Sequence, residues 1–275
     1  MILFDQDLKS IESAPDVFTV TVTDNWSVNG NPDGGYLMAL MASVMLGRNN
    51  KIRMPIITAN YILRSVPGPA EIHLEEISLT EQFHRFEARL IQEGKEKVRA
   101  LATFGLDNAE CNLNRYETAP TPLAPRESCV PVPAGIPKYT LFDQLDVLLD
   151  PVCAGWMQNH LTDRSENKGW IKFRNQQPYD FLSLLLIADS LPPAVFATQG
   201  MMAWVPTIEL SVNIRNLPQS QWLNCCLRTR FINCGILEAD GEVWDEVGNL
   251  VAISRQIAQM KKPSTSSSTA VDTES

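Results

Sequence analysis

The feature that most constrains this chain is an internal repeat. Arg64-Ser-Val-Pro67 closes a strand-like run in the first half, and Arg215-Asn-Leu-Pro218 closes one in the second, 151 positions later. In both halves two further strand-like runs, an acidic Gly-containing turn and a final strand follow. Four matching residues carry little weight alone. The shared order of elements around them predicts a duplicated unit.

β-branched content, alternation and turn chemistry give the elements of each copy. In the first half, residues 3–13 read as an amphipathic lead-in helix and 17–22 as a strand. The loop 29–35 leads into a helix over 36–49 that is apolar nearly all round until Gly47, so it should be buried on most sides. Strands follow at 56–63, 70–79, 83–92 and 97–106. In the second half, strands at 140–148 and 168–173 lead into an apolar helix over 181–191, ended by Pro192-Pro193. Strands return at 207–214, 221–231, 235–244 and 250–260. Six of the 18 prolines lie between Pro120 and Pro137, which marks a semi-extended linker between the copies. The expected organisation is a first unit over 1–107, a linker over 108–138, a second unit over 139–260, and a disordered Ser/Thr-rich tail over 261–275. Helix followed by antiparallel strands in each copy implies an α+β fold in which a sheet wraps one helix.

The copies differ where chemistry matters. One carboxylate, Asp189, sits in the 181–191 helix pattern, with Leu185 and Leu186 on the same face. An acid on a leucine face is paired, exposed at the helix end, or held for use. Moving back 151 positions matches Asp189 to Met38 and Thr207 to Ile56, and a shift of about 154 brings Gln256 to Ala102. Three polar residues of the second half therefore face three apolar ones of the first. This is the pattern expected of two ancestral sites of which one survives.

Other classes are disfavoured. The net charge of −9 argues against a nucleic-acid partner. No stretch approaches the roughly 20 apolar residues of a membrane span. The opening residues do not read as a secretory signal, and the six cysteines (111, 129, 153, 225, 226 and 234) form no CxxC pair, so a reduced, cytoplasmic location is expected. GxSxG, Walker and GxGxxG motifs are absent; neither metal nor cofactor is expected. His73 and His84 read as strand-surface residues.

The runs Asn31-Pro-Asp-Gly-Gly-Tyr-Leu and Asn60-Tyr-Ile-Leu-Arg-Ser-Val-Pro-Gly-Pro, then Asp189-Ser-Leu-Pro-Pro, the strand from Val205 to Arg215 and the hairpin from Glu238 to Met260 together resemble the type II (TesB-like) double-hotdog acyl-CoA thioesterases. The resemblance covers about residues 17–260 without the linker. It implies two tandem hotdog units, each a curved antiparallel sheet around a helix. It also implies a catalytic trio of Asp189, Thr207 and Gln256 that activates a water against a thioester carbonyl. Two departures bear on substrate: the Thr207 strand ends Arg-Asn-Leu-Pro, and the linker is unusually rich in proline.

These residue types suit the chemistry. Partial desolvation raises a carboxyl toward useful base strength, and Thr with Gln can fix a water beside it. Backbone N–H groups at Gly34 and Gly35, at the head of the first helix, are candidate donors to the substrate oxyanion. The expected substrate is an acyl or polyketide thioester of CoA or of an acyl carrier protein. Lys51, Arg53, Arg255, Lys261 and Lys262 are the candidate cations for CoA phosphates. The second reading is a non-hydrolytic hotdog protein that binds or cyclises a hydrophobic, polyketide-like intermediate. A hotdog dehydratase would need a His in the site, and none falls there. Exposed edges of a curved sheet favour pairing, so a homodimer is expected.

Overall fold

The structure is a computed structural model that describes residues 2–48, 52–106, 115–201 and 205–260. Its elements in chain order are α1 (Leu3–Asp7), β1 (Ser10–Ala14), β2 (Val17–Val22), β3 (Ser27–Val28), β4 (Asn31–Pro32), α2 (Gly34–Gly47), β5 (Ile52–Tyr61), β6 (Gly68–Leu79), β7 (Phe83–Gln92) and β8 (Lys95–Leu106). The second half continues with β9 (Val130–Pro131), α3 (Leu141–Gln144), β10 (Leu145–Leu149), β11 (Glu166–Phe173), α4 (Phe181–Ile187), α5 (Phe196–Gln199), β12 (Thr207–Ile214), β13 (Leu223–Arg228), β14 (Ile232–Asn233), β15 (Ile236–Asp245) and β16 (Leu250–Gln259).

All strands but β3 and β4, which pair with each other, form one antiparallel sheet whose order mirrors itself. From the centre outward it reads β5, β8, β7, β6, β2, β1 on one side and β12, β16, β15, β13, β11, β10, β9 on the other. The halves join where β5 pairs with β12, and Ala59 lies opposite Leu210. Leu210 is the residue 151 positions after Ala59, so the join is centred on two equivalent residues. A second likeness lies at the Arg-x-x-Pro turns. Gln92 Oε1, at the end of β7, accepts the Val66 N–H at 3.1 Å, and Asp245 Oδ2, at the end of β15, accepts the Gln219 N–H at 3.1 Å. Different side chains thus clamp the same turn in each copy.

The core lies between the helices and the inner face of the sheet. Asp33 caps α2 by accepting the Tyr36 N–H, and a run of good helix formers follows. Met38, Leu40, Met41 and Met45 are fully buried, as an all-round apolar helix requires. Gly35 permits the close approach of α2 to α4: a methyl group there would lie 2.5 Å from the Leu185 carbonyl oxygen and 3.0 Å from Leu186 Cα.

Several expectations change. Only residues 3–7 of the lead-in are helical; Ser10–Ala14 pairs with β2 instead. The helix expected over 181–191 stops at Ile187. Its last turn tightens through Asp189 N–H to Leu186 O and Ser190 N–H to Ile187 O, while Ser190 Oγ takes the Leu186 carbonyl. The backbone before Pro192 is also biased away from helix. Residues 115–131, expected as linker, lie along the second half. Ala124 N–H donates to Asp150, Trp170 Nε1 and Asn224 Nδ2 donate to Ala124 O and Thr121 O, and Arg126 stacks over Trp170 and Trp222. Residues 107–114 and the tail 261–275 lie outside the described residues, as does Asn49. Among the described residues no helix is long and apolar enough to cross a membrane.

Candidate active site

Three distant segments bring the expected trio together. Gln256, on the inner face of β16, donates through Nε2 to Asp189 Oδ1 at 3.0 Å and to Thr207 Oγ1 at 2.6 Å. Asp189 sits in the turn after α4, and its Oδ2 accepts the Gly35 N–H at 3.0 Å from the head of α2. All three side chains are half-buried.

Thr207 reaches this cluster because of a bulge. Glu209 pairs with Ile257, but Thr207 pairs with Ala258, so Ile208 is one residue too many for the ladder. Counting by twos from buried Leu210 would send Thr207 to the outer face. The extra residue turns Thr207 inward and leaves Ile208 exposed. In β5 the register shift lies earlier, between Arg53 and Ile56, so the counterpart Ile56 pairs with Asn213 and Thr103 and is exposed on the outer face. The counterpart of Gln256 also needs adjustment. Gln256 faces Leu210 and Ala100 faces Ala59, so the join matches Gln256 to Ala100 rather than Ala102; both alanines are fully buried.

Burial pushes the Asp189 carboxyl up to about 7, against the pull of the Gly35 and Gly34 N–H groups, which favour its charged form. The amides expected to meet a substrate oxyanion are therefore turned onto the acid itself. A methyl group on Gly34 would lie 2.7 Å from Asp189 Oδ2 and 3.0 Å from the Tyr61 hydroxyl, so the glycine lets both groups close over the helix end.

Two neighbours were not found in the sequence. Asp33 is buried and its Oδ1 accepts the Tyr36 N–H at 3.1 Å, one residue along the helix from the amide held by Asp189. An Asp just before the glycines that open an apolar helix is a capping signal, which could have marked it. Tyr61, the last residue of β5, donates to the Gly34 carbonyl at 2.6 Å. Nothing in the sequence signals that contact.

Of the candidate cations, two lie among the described residues. Arg255 is exposed and alternates with Gln256, on the outer face of β16. Arg53 lies in β5 opposite Gly105. Lys51, Lys261 and Lys262 lie outside the described residues. His84, expected on a strand surface, is buried over Phe86, with its ring centroid at 4.0 Å and Glu76 Oε2 3.0 Å from its Nε2.

Residues 22–105 match the acyl-CoA thioesterase N-terminal domain, and residues 119–260 match the acyl-CoA thioesterase C-terminal domain. The uncharacterised protein Rv0499 of Mycobacterium tuberculosis is 25% identical, over 89% of this chain and 91% of its own length. Among solved structures, a putative thioesterase II from Thermobifida fusca superposes with a TM-score of 0.84 at 22% identity, covering 95% of this chain and 98% of that one. A conserved protein of unknown function with a hot dog fold from Alicyclobacillus acidocaldarius gives a TM-score of 0.85 at 18% identity, covering 96% and 99%. The mirrored sheet is thus a double hotdog.

Proposed function

The chain belongs to the acyl-CoA thioesterase family, and from that premise we propose that it hydrolyses acyl thioesters with a water activated by Asp189, Thr207 and Gln256. The observation that carries this reading is the double donation of Gln256 Nε2 to Asp189 and Thr207. Both amide hydrogens of Gln256 are then engaged. The Thr207 hydroxyl, accepting from Gln256, has its own hydrogen free to donate, and Gln256 Oε1 is free to accept. A water receiving the Thr207 hydrogen and giving its own hydrogens to Asp189 and Gln256 Oε1 keeps one lone pair for attack.

The carboxylate of Asp189 takes a proton as the water oxygen bonds to the thioester carbon. The carbonyl oxygen becomes the oxyanion. Its collapse breaks the C–S bond, and the leaving thiolate takes the proton from Asp189, which leaves a carboxylic acid and a thiol. The positive end of α2 faces the negative charge on Asp189 before attack, and its Gly34 and Gly35 amides are the candidate donors to the oxyanion once Asp189 has taken the proton. A carboxyl raised to about 7 suits this cycle, because a large share of it is ionised at neutral pH and it still holds a proton well.

The substrate is an acyl or polyketide chain on CoA or on a carrier protein. The test is thiol release from CoA thioesters of medium and long chains. Asp189→Asn should reduce turnover by about 10³-fold, the scale of a lost general base. Equal, slow release by both proteins would remove hydrolysis and leave binding or cyclisation of the intermediate.

A further inference from the structure

α2 carries two acids at one end. Asp33 Oδ1 holds the Tyr36 amide at 3.1 Å and Asp189 Oδ2 holds the Gly35 amide at 3.0 Å, so the two carboxyls grip neighbouring N–H groups. Asp33 also draws on the Gly35 amide. Tyr61 is the third titratable group at this spot, and among the described residues no Lys, Arg or His pairs with either acid. Two desolvated carboxylates this close, with no cation between them, do not both ionise at neutral pH.

We propose that Asp33 is a positioning residue of the hydrolytic site: it stays protonated while Asp189 carries the charge, and its own ionisation at higher pH shuts the reaction down. The inference rests on the hydrolytic reading above. Its logic is electrostatic. With Asp33 neutral, the helix end serves one negative charge, first on Asp189 and then on the oxyanion. With Asp33 ionised, a second negative charge takes the Tyr36 and Gly35 amides and repels the charge that develops on the substrate. Asp33 is the more buried of the two acids, while Asp189 is half-buried and also accepts from Gln256 Nε2, which places the charge on Asp189. Burial, then the charge of Asp189, hold the Asp33 carboxyl well above the usual range. Burial and both neighbouring acids also raise Tyr61, a group that is already weakly acidic.

The test is the pH dependence of kcat/KM for thiol release, with spontaneous hydrolysis subtracted and folding followed by circular dichroism in the same buffers. Wild type should give a bell: a rise as Asp189 ionises, then a fall while the protein stays folded. Asp33→Asn caps a helix as well as Asp does but cannot ionise, so its profile should rise and stay level. Asp33→Ser, also a good cap, should behave likewise if the amide disturbs the site. Tyr61→Phe should keep the fall. A wild-type profile with no fall, a fall that tracks unfolding, or a fall that persists in both Asp33 variants would overturn the proposal. A purely structural cap would change stability and leave the shape of the profile alone. Loss of activity in Asp189→Asn beside an unchanged Asp33→Asn profile would reject this inference and keep the hydrolytic reading; no thiol release by wild type would reject the reading itself.

Discussion

The two halves share strand order and the turn clamp but diverge at the helix and at one strand. α2 runs unbroken from Gly34 to Gly47, while α4 ends at Ile187, the counterpart of Tyr36. Met38 is therefore sealed inside a helix, and Asp189 sits in an open turn facing the head of α2. β5 has its register shift earlier, between Arg53 and Ile56, and leaves Ile56 on the outer face, while the shift in β12 falls at Ile208 and turns Thr207 inward. The difference teaches that the site did not arise from three polar substitutions on a symmetric frame. It goes with a shorter helix and a bulge that falls at a different place in the strand as well. The outer faces differ too. Residues 115–131 strap the second half, while Leu101, Ile77 and Leu79 of the first half remain exposed.

The largest effect should come from forcing symmetry on the first half. Met38→Asp puts an unpaired charge where no water reaches, at a cost of about 4 kcal/mol. Denaturant unfolding should show this loss, and any fall in turnover should follow the unfolded fraction; a stable, active Met38→Asp would mean the first half tolerates an acid. Next come the supports of the water. Thr207→Val and Gln256→Ala should each lower kcat by about 10²-fold, the usual loss for one positioned polar group.

Smaller effects concern the helix contact and its charge. Gly35→Ala should destabilise by about 2 kcal/mol, because the methyl meets backbone atoms of α4 that have little room to yield. The charge on Asp189 has a definite sign. Its carboxyl rises from 3.8 to about 7 on folding, so folding favours the protonated form. The stability tied to that proton is complete below the unfolded value and is lost as pH rises through about 7. Asp189→Asn escapes this loss, so relative to wild type it should be roughly 2 to 3 kcal/mol more stable at about pH 8 than at about pH 5. Thermal unfolding at both pH values checks it, and the same difference at each would contradict it.

Much of this was legible in the sequence, and the remainder has physical causes. The repeat, the α+β double hotdog and the nearness of Asp189, Thr207 and Gln256 followed from element order and resemblance. The bulge did not, since one inserted residue in eight leaves the strand pattern intact and only the pairing with β16 exposes it. The end of α4 at Ile187 was missed because no Gly or Pro interrupts the run before Pro192, and local hydrogen bonds decide where the helix stops. The engagement of the Gly35 amide by Asp189 spans 154 positions in the chain, so no local pattern could announce it. The prolines of 120–137 suggested a semi-extended linker between the copies; its stacking onto Trp170 and Trp222 through Arg126 rests on contacts that composition does not encode.

The central claim is that hydrolysis runs in the second half alone. It is tested most directly by measuring thiol release for wild type, Asp189→Asn and Met38→Leu side by side, the last a volume-conserving change at the counterpart position. The account predicts that Asp189→Asn is slower by about 10³-fold while Met38→Leu stays near wild type. Comparable losses at both positions, or none at Asp189, would contradict it.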